Sequence, residues 1–170
     1  MKYVLETNKI GKKYKNYEVL KNVNVHIEKG SIYGLIGKNG AGKTTFIRLI
    51  CGLQEPTKGS YSIYGVSNKD KEIINVRKRV GAIIESPSIY LDMTAEQNLK
   101  EQYKIIGLPS YNGLQEILQL VNLDKTDKKL AKNFSLGMKQ RLGIAIALVG
   151  NPDLLILDEP INRIRPRRYN

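Results

Sequence analysis

G-K-N-G-A-G-K-T-T, residues 37–45, sets three glycines, two lysines and two threonines within nine positions and matches the pattern G-x-x-x-x-G-K-[ST]. Gly37, Gly40 and Gly42 allow a tight turn whose backbone N–H groups approach phosphate oxygens with no side chain in the way. Lys43 brings a point charge for the β- and γ-phosphates, and Thr44 brings a hydroxyl for Mg²⁺. Lys38, Asn39, Ala41 and Thr45 complete the cradle. A helix opening at residue 44 directs its positive end at the same oxygens. Residues 31–36 (S-I-Y-G-L-I) read as a buried strand leading in, and residues 44–51 as a helix stopped by Gly52. Strand, glycine loop and helix in that order imply a bound nucleoside triphosphate, a stronger reading than a glycine-rich surface loop.

Composition sets the limits. The chain has 170 residues, 41% of them apolar, enough for one domain with a smaller subdomain. No apolar run approaches the ~20 residues that cross a bilayer, and the first eight residues, M-K-Y-V-L-E-T-N, lack the apolar stretch of a signal peptide. A cytoplasmic protein is expected. The single cysteine, Cys51, reads as a small buried filler. Formal net charge is +12, but Arg163, Arg165, Arg167 and Arg168 supply four of those charges near the chain end. The remaining lysines are scattered, which suits a solvated surface, and no nucleic-acid partner is expected. His26 reads as a half-exposed strand residue.

Along the chain, Val19, Val23, Val25 and Ile27 anchor strands within the first thirty residues, before a turn at Lys29 and Gly30. Pro56, Lys58 and Gly59 introduce a strand pair. Residues 80–84 (V-G-A-I-I) form a short strand that ends on Glu85. Thr94 and Gln97 make a capping box for a helix ending near Gly107 and Pro109. Leu114, Ile117, Leu118 and Val121 place a second helix over 113–122.

Residues 154–159, L-L-I-L-D-E, are four apolar residues followed by two carboxylates, the pattern of a strand buried on both faces and emerging at an active site. Upstream, Ser135 caps a helix expected to run to about Val149. The stretch around it, F-S-L-G-M-K-Q-R-L-G-I-A at residues 134–145, resembles the signature L-S-G-G-Q-x-Q-R of the ABC transporter ATPases. Ser135, Gly137, Gln140 and Arg141 agree with it; Leu136 and Met138 depart from it.

The resemblance implies an α/β fold: a P-loop NTPase (ABC ATPase) core with a helical subdomain. The core covers residues 1–85 and 151–162, the helical subdomain 86–150, and 163–170 form an aberrant tail. It also implies ATP and Mg²⁺ as ligands, with residues 37–45, Ser135 and Gly137 on the nucleotide, and Thr44, Glu85 and Asp158 on the metal. Glu159 is the implied catalytic residue, polarising the attacking water. Tyr14 matches the aromatic residue that stacks on the base, with Tyr17 as the alternative. Ser135 and Gly137 would face the nucleotide of a partner ATPase subunit, and Glu85 would relay nucleotide state to a membrane-spanning permease from the inner face of the cell membrane.

Glutamate at position 85, where most of the family carry glutamine, together with I-I-E-S-P-S-I-Y at residues 83–90, is similar to the bacitracin-resistance and lantibiotic-immunity exporters. Export of antimicrobial peptides is therefore expected. An ABC ATPase acting on ribosomes or nucleic acid, and a non-catalytic nucleotide-binding module, stand as alternatives. The resemblance ends near residue 162. The chain is expected to lack the family's C-terminal part, including its D-loop and switch histidine, and hydrolysis is expected to be weak. The arginine-rich tail is expected to come from a shifted reading frame.

Overall fold

The structure, a computed structural model, describes residues 2–159. The chain divides into two compact units, Met1–Val80 and Gly81–Asn170. The tail expectation lies outside the described residues.

The first unit is built on an antiparallel sheet. Strands β1 (Tyr3–Tyr14), β2 (Tyr17–Val23), β3 (His26–Glu28), β4 (Lys58–Ile63) and β5 (Val66–Ser67) make five strands in the order β2-β1-β4-β5, with β3 paired to the start of β1. β4 and β5 are joined through Tyr64 and Gly65, both left-handed at φ 48 and 74, the twist a two-residue hairpin turn needs. Leu5, Ile10, Leu20, Tyr61 and Ile63 of the sheet are buried, as are Phe46, Leu49 and Ile50 of helix α1 (Lys43–Ile50). Helix α2 (Ile73–Arg77) packs on β4 and β5.

One expectation fails here. Residues 31–36 are not a strand: they are irregular and exposed, with Ile32 at 104% and Ile36 at 95% of full exposure. An apolar run becomes a strand only where it pairs with a neighbour, and residues 31–36 pair with none of the described strands. In this unit β1 is paired along both edges, by β4 on one and by β2 and β3 on the other. His26, expected half-exposed, lies in β3 with its side chain exposed and its ring 5.4 Å from that of Tyr3.

The second unit sets three helices between two short strands. Strand β6 (Val80–Ile83) pairs with β7 (Leu154–Leu157), and α3 (Ala95–Ile105), α4 (Leu114–Leu120) and α5 (Leu136–Leu148) lie between them in sequence. Helix α3 starts at the expected capping box: the Gln97 N–H donates to the Thr94 hydroxyl at 3.2 Å, and the Thr94 N–H to Gln97 Oε1 at 2.9 Å. Leu99, Tyr103, Leu114, Leu118, Leu123, Phe134 and Leu142 form one buried cluster. β7 was expected to be buried on both faces; it is only half-buried, with Leu155 at 36% exposure. Among the described residues β7 pairs with β6 alone, and that short sheet covers little of either strand.

Candidate functional site

The phosphate loop turns at Gly40 and Gly42, which are left-handed at φ 79 and 87. Gly42 has a second constraint: a Cβ there would lie 2.8 Å from Leu20 Cδ2 and 3.1 Å from the Val19 carbonyl oxygen. A side chain at Gly37 would crowd Ala41 Cβ at 3.2 Å. The Lys43 ammonium donates to the Gly37 carbonyl at 2.7 Å and the Lys38 carbonyl at 3.0 Å, and the Ala41 N–H donates to Lys38 O at 3.1 Å.

Helix α1 starts directly from this loop. Its N-cap is left-handed Gly42 and no side chain caps it, unlike α3 and α5. Its first internal hydrogen bond runs from the Phe46 N–H to Gly42 O at 2.8 Å, so the N–H groups of Lys43, Thr44 and Thr45 in the first turn have no helical acceptor. These donors, the ammonium and the Thr44 hydroxyl suit a triphosphate with its metal ion, because each supplies a hydrogen bond, a charge or an oxygen ligand to an anion.

The two tyrosines differ. The Tyr14 hydroxyl is hydrogen-bonded to Gln54 Oε1, and Lys12 Nζ lies 5.2 Å from the ring centroid while donating to Glu55 O at 2.7 Å. The ring is thus fixed to the segment that follows α1 and remains 41% exposed. Tyr17 is 69% exposed. Gln54, which orients Tyr14, carried no signal in the sequence, since the two are far apart along the chain.

In the second unit the Asp158 N–H donates to the Ile83 carbonyl at 2.9 Å. This bond joins the C-terminal ends of β6 and β7, so the two strands run in the same direction. Glu85, two residues beyond Ile83, and Glu159, next to Asp158, therefore leave the sheet at one end. Both are left-handed, at φ 63 and 48, where the chain turns out of its strand. Asp158 is buried at 5% exposure; Glu85 and Glu159 are exposed. Gly81 and Gly143 admit no side chain, being closed by Ala147 and Pro152 in one case and by Pro87 in the other.

Ser135 caps α5, accepting from the Met138 N–H at 3.3 Å, and Gly137 in the first turn faces open space. The arginine of the signature acts differently. Arg141 Nη1 donates to the carbonyls of Val121 and Asn122 at 3.2 and 3.1 Å, closing the C-terminal end of α4. Asn98 went unremarked in the sequence, although a polar residue on the face shared by Ala95 and Leu99 is a detectable signal. It is 2% exposed, accepts from the Tyr90 N–H at 2.8 Å, and donates to Tyr90 O and Thr94 O at 3.0 and 2.9 Å. One amide thus shapes the segment that follows Glu85.

The family model described as "ABC transporter" matches residues 20–162. The bacitracin transport ATP-binding protein BcrA of Bacillus licheniformis is 45% identical over 166 residues, covering 98% of this chain and 54% of its own. The lantibiotic transport ATP-binding protein SrtF of Streptococcus pyogenes is 41% identical over 163 residues, covering 96% of this chain and 69% of its own. A solved ATP-binding subunit of an ABC transporter superposes with a TM-score of 0.79 at 33% identity, over 93% of this chain and 67% of that one. The chain spans about half the length of several curated relatives that it matches, 54% of BcrA among them. With the phosphate loop, the capped signature helix and the Asp-Glu strand end in the matched region, the chain belongs to the ABC transporter ATP-binding family.

Proposed function

We propose that this chain is the nucleotide-binding part of an ATP-driven exporter of antimicrobial peptides of the bacitracin and lantibiotic type. The observation that carries nucleotide binding is the phosphate loop, with Lys43 held on its carbonyls and the first turn of α1 left uncapped. Similarity to BcrA and SrtF supports the peptide class.

In this reading residues 37–45 hold the phosphates and Tyr14 stacks on the base. Thr44 would supply an oxygen to Mg²⁺ in the first unit, and in the second Glu85 and Asp158 are the metal-ligating carboxylates of this reading; the ion would neutralise charge on the β- and γ-phosphates. Glu159 accepts a proton from the attacking water. Ser135 and Gly137, at the N-terminal end of α5, face the γ-phosphate on a second ATPase subunit. Residues 86–150 act as the helical subdomain that meets a membrane-spanning permease at the inner face of the membrane.

Two measurements test this. Titration with a fluorescent ATP analogue should saturate in the wild type and weaken in Lys43→Ala. A host lacking the intact gene should become more sensitive to bacitracin or a lantibiotic; sensitivity unchanged for both would reject the peptide assignment while leaving ATP binding in place.

A further inference from the structure

A partly buried arginine that the nucleotide reading does not use holds the C-terminal end of α1. The helix closes with two bonds, from the Gly52 N–H to Leu49 O at 3.0 Å and from the Leu53 N–H to Arg48 O at 2.9 Å, around a left-handed Gly52 at φ 73. The Arg77 guanidinium fills the space where a Gly52 side chain would stand. From there it hydrogen-bonds to the Tyr61 hydroxyl, with Cζ 6.0 Å from the ring centroid. Tyr61 is 2% exposed and lies on β4 opposite Thr7 of β1. Among the described residues the buried Nε of Arg77 has no hydrogen-bond partner. The negative end of the α1 dipole faces this cation.

Helix α1 has eight residues, a rod of about 12 Å, so a tilt at one end displaces the other. Its donor end has no side-chain cap to set its direction. The direction is set by the buried face of Phe46, Ile47, Leu49 and Ile50, by the packing of Gly42 against Leu20 and Val19, and by the anchor at the far end. We propose that Arg77 is a positioning residue for nucleotide binding: by clamping the C-terminal end of α1 to β4, it aims the first-turn N–H groups and Lys43 at the phosphates. This rests on the nucleotide reading. It links two ends of one helix, so ATP at the phosphate loop should tighten the packing around Cys51, the C-cap residue beside Gly52.

The test uses the 170-residue chain with Arg77→Gln, Arg77→Lys and Tyr61→Phe, each checked for folding by circular dichroism. Affinity is read with a fluorescent ATP analogue, and Cys51 packing by its alkylation rate with and without ATP. Wild type should show slower alkylation when ATP is bound. Arg77→Gln should raise Kd about tenfold and abolish that protection. Arg77→Lys should recover part of both, and Tyr61→Phe should move both in the same direction by less. A folded Arg77→Gln with lowered thermal stability but wild-type Kd and wild-type protection would overturn the inference. If Arg77→Gln does not fold, Tyr61→Phe decides, and wild-type values in both readouts overturn it. Failure of the wild type to bind ATP would overturn the nucleotide reading itself, a distinguishable result.

Discussion

The Lys43 ammonium lies 2.7 Å from the Gly37 carbonyl oxygen, so the phosphate loop is closed on its own cation. The lysine is therefore placed by the loop that it serves, and an arriving triphosphate meets a charge already in position. Lys43→Ala removes both the charge and the closure. Affinity for a fluorescent ATP analogue should fall at least tenfold, about 1.4 kcal/mol, and an unchanged titration would contradict the assignment.

Gly40 and Gly42 separate two costs. Both are left-handed, but a Cβ at Gly40 meets nothing within 4 Å, whereas one at Gly42 meets Leu20 and Val19. Gly40→Ala should cost only the backbone term, roughly 1–2 kcal/mol. Gly42→Ala should cost about 1 kcal/mol more, through overpacking. Urea unfolding of the two variants measures the gap, and equal midpoints would remove the packing term.

Asn98→Ala should strand the Tyr90 N–H and leave the Tyr90 and Thr94 carbonyls without their amide donor. The expected loss is on the order of 2–3 kcal/mol, that of a buried polar group left unpaired. A stability loss no larger than that of an exposed substitution such as Gln119→Ala would show that water replaces the amide.

Burial pushes the Cys51 thiol up from 9.0 to about 11, partly offset by the positive charge of Arg77. The unfolded chain releases this proton first, so the neutral thiol favours the folded state below about pH 9, and that contribution is lost as pH rises to about 11. Alkylation of the native protein at pH 8 should be slow and should accelerate towards pH 11. A rate that levels off near pH 9 would mean an exposed, ordinary thiol.

Glu85→Ala, made in the intact protein with its permease, should reduce peptide tolerance more than it reduces ATP binding. Its place at the shared end of β6 and β7, beside Asp158 and Glu159, motivates this. Equal losses in resistance and in nucleotide affinity would argue against a coupling role.

What the sequence determined by itself is what neighbours within a few positions decide. The glycine spacing of the phosphate loop, the Thr94 and Gln97 capping box, the Ser135 cap and the Gly52 stop are each closed by atoms three to six residues apart, so their geometry is written in the local string. Tertiary structure decided the rest, because those outcomes depend on what the chain meets far along its length. It left residues 31–36 outside every described ladder, although the local string reads as a strand. It chose Tyr14 over Tyr17 as the ring held in place, through Gln54 forty positions away. It set Arg141 on the end of α4 and Arg77 on the end of α1, and residue type alone could not distinguish either from a solvated surface cation. A long side chain acquires a role only from the carbonyl, hydroxyl or glycine face that folding brings to it.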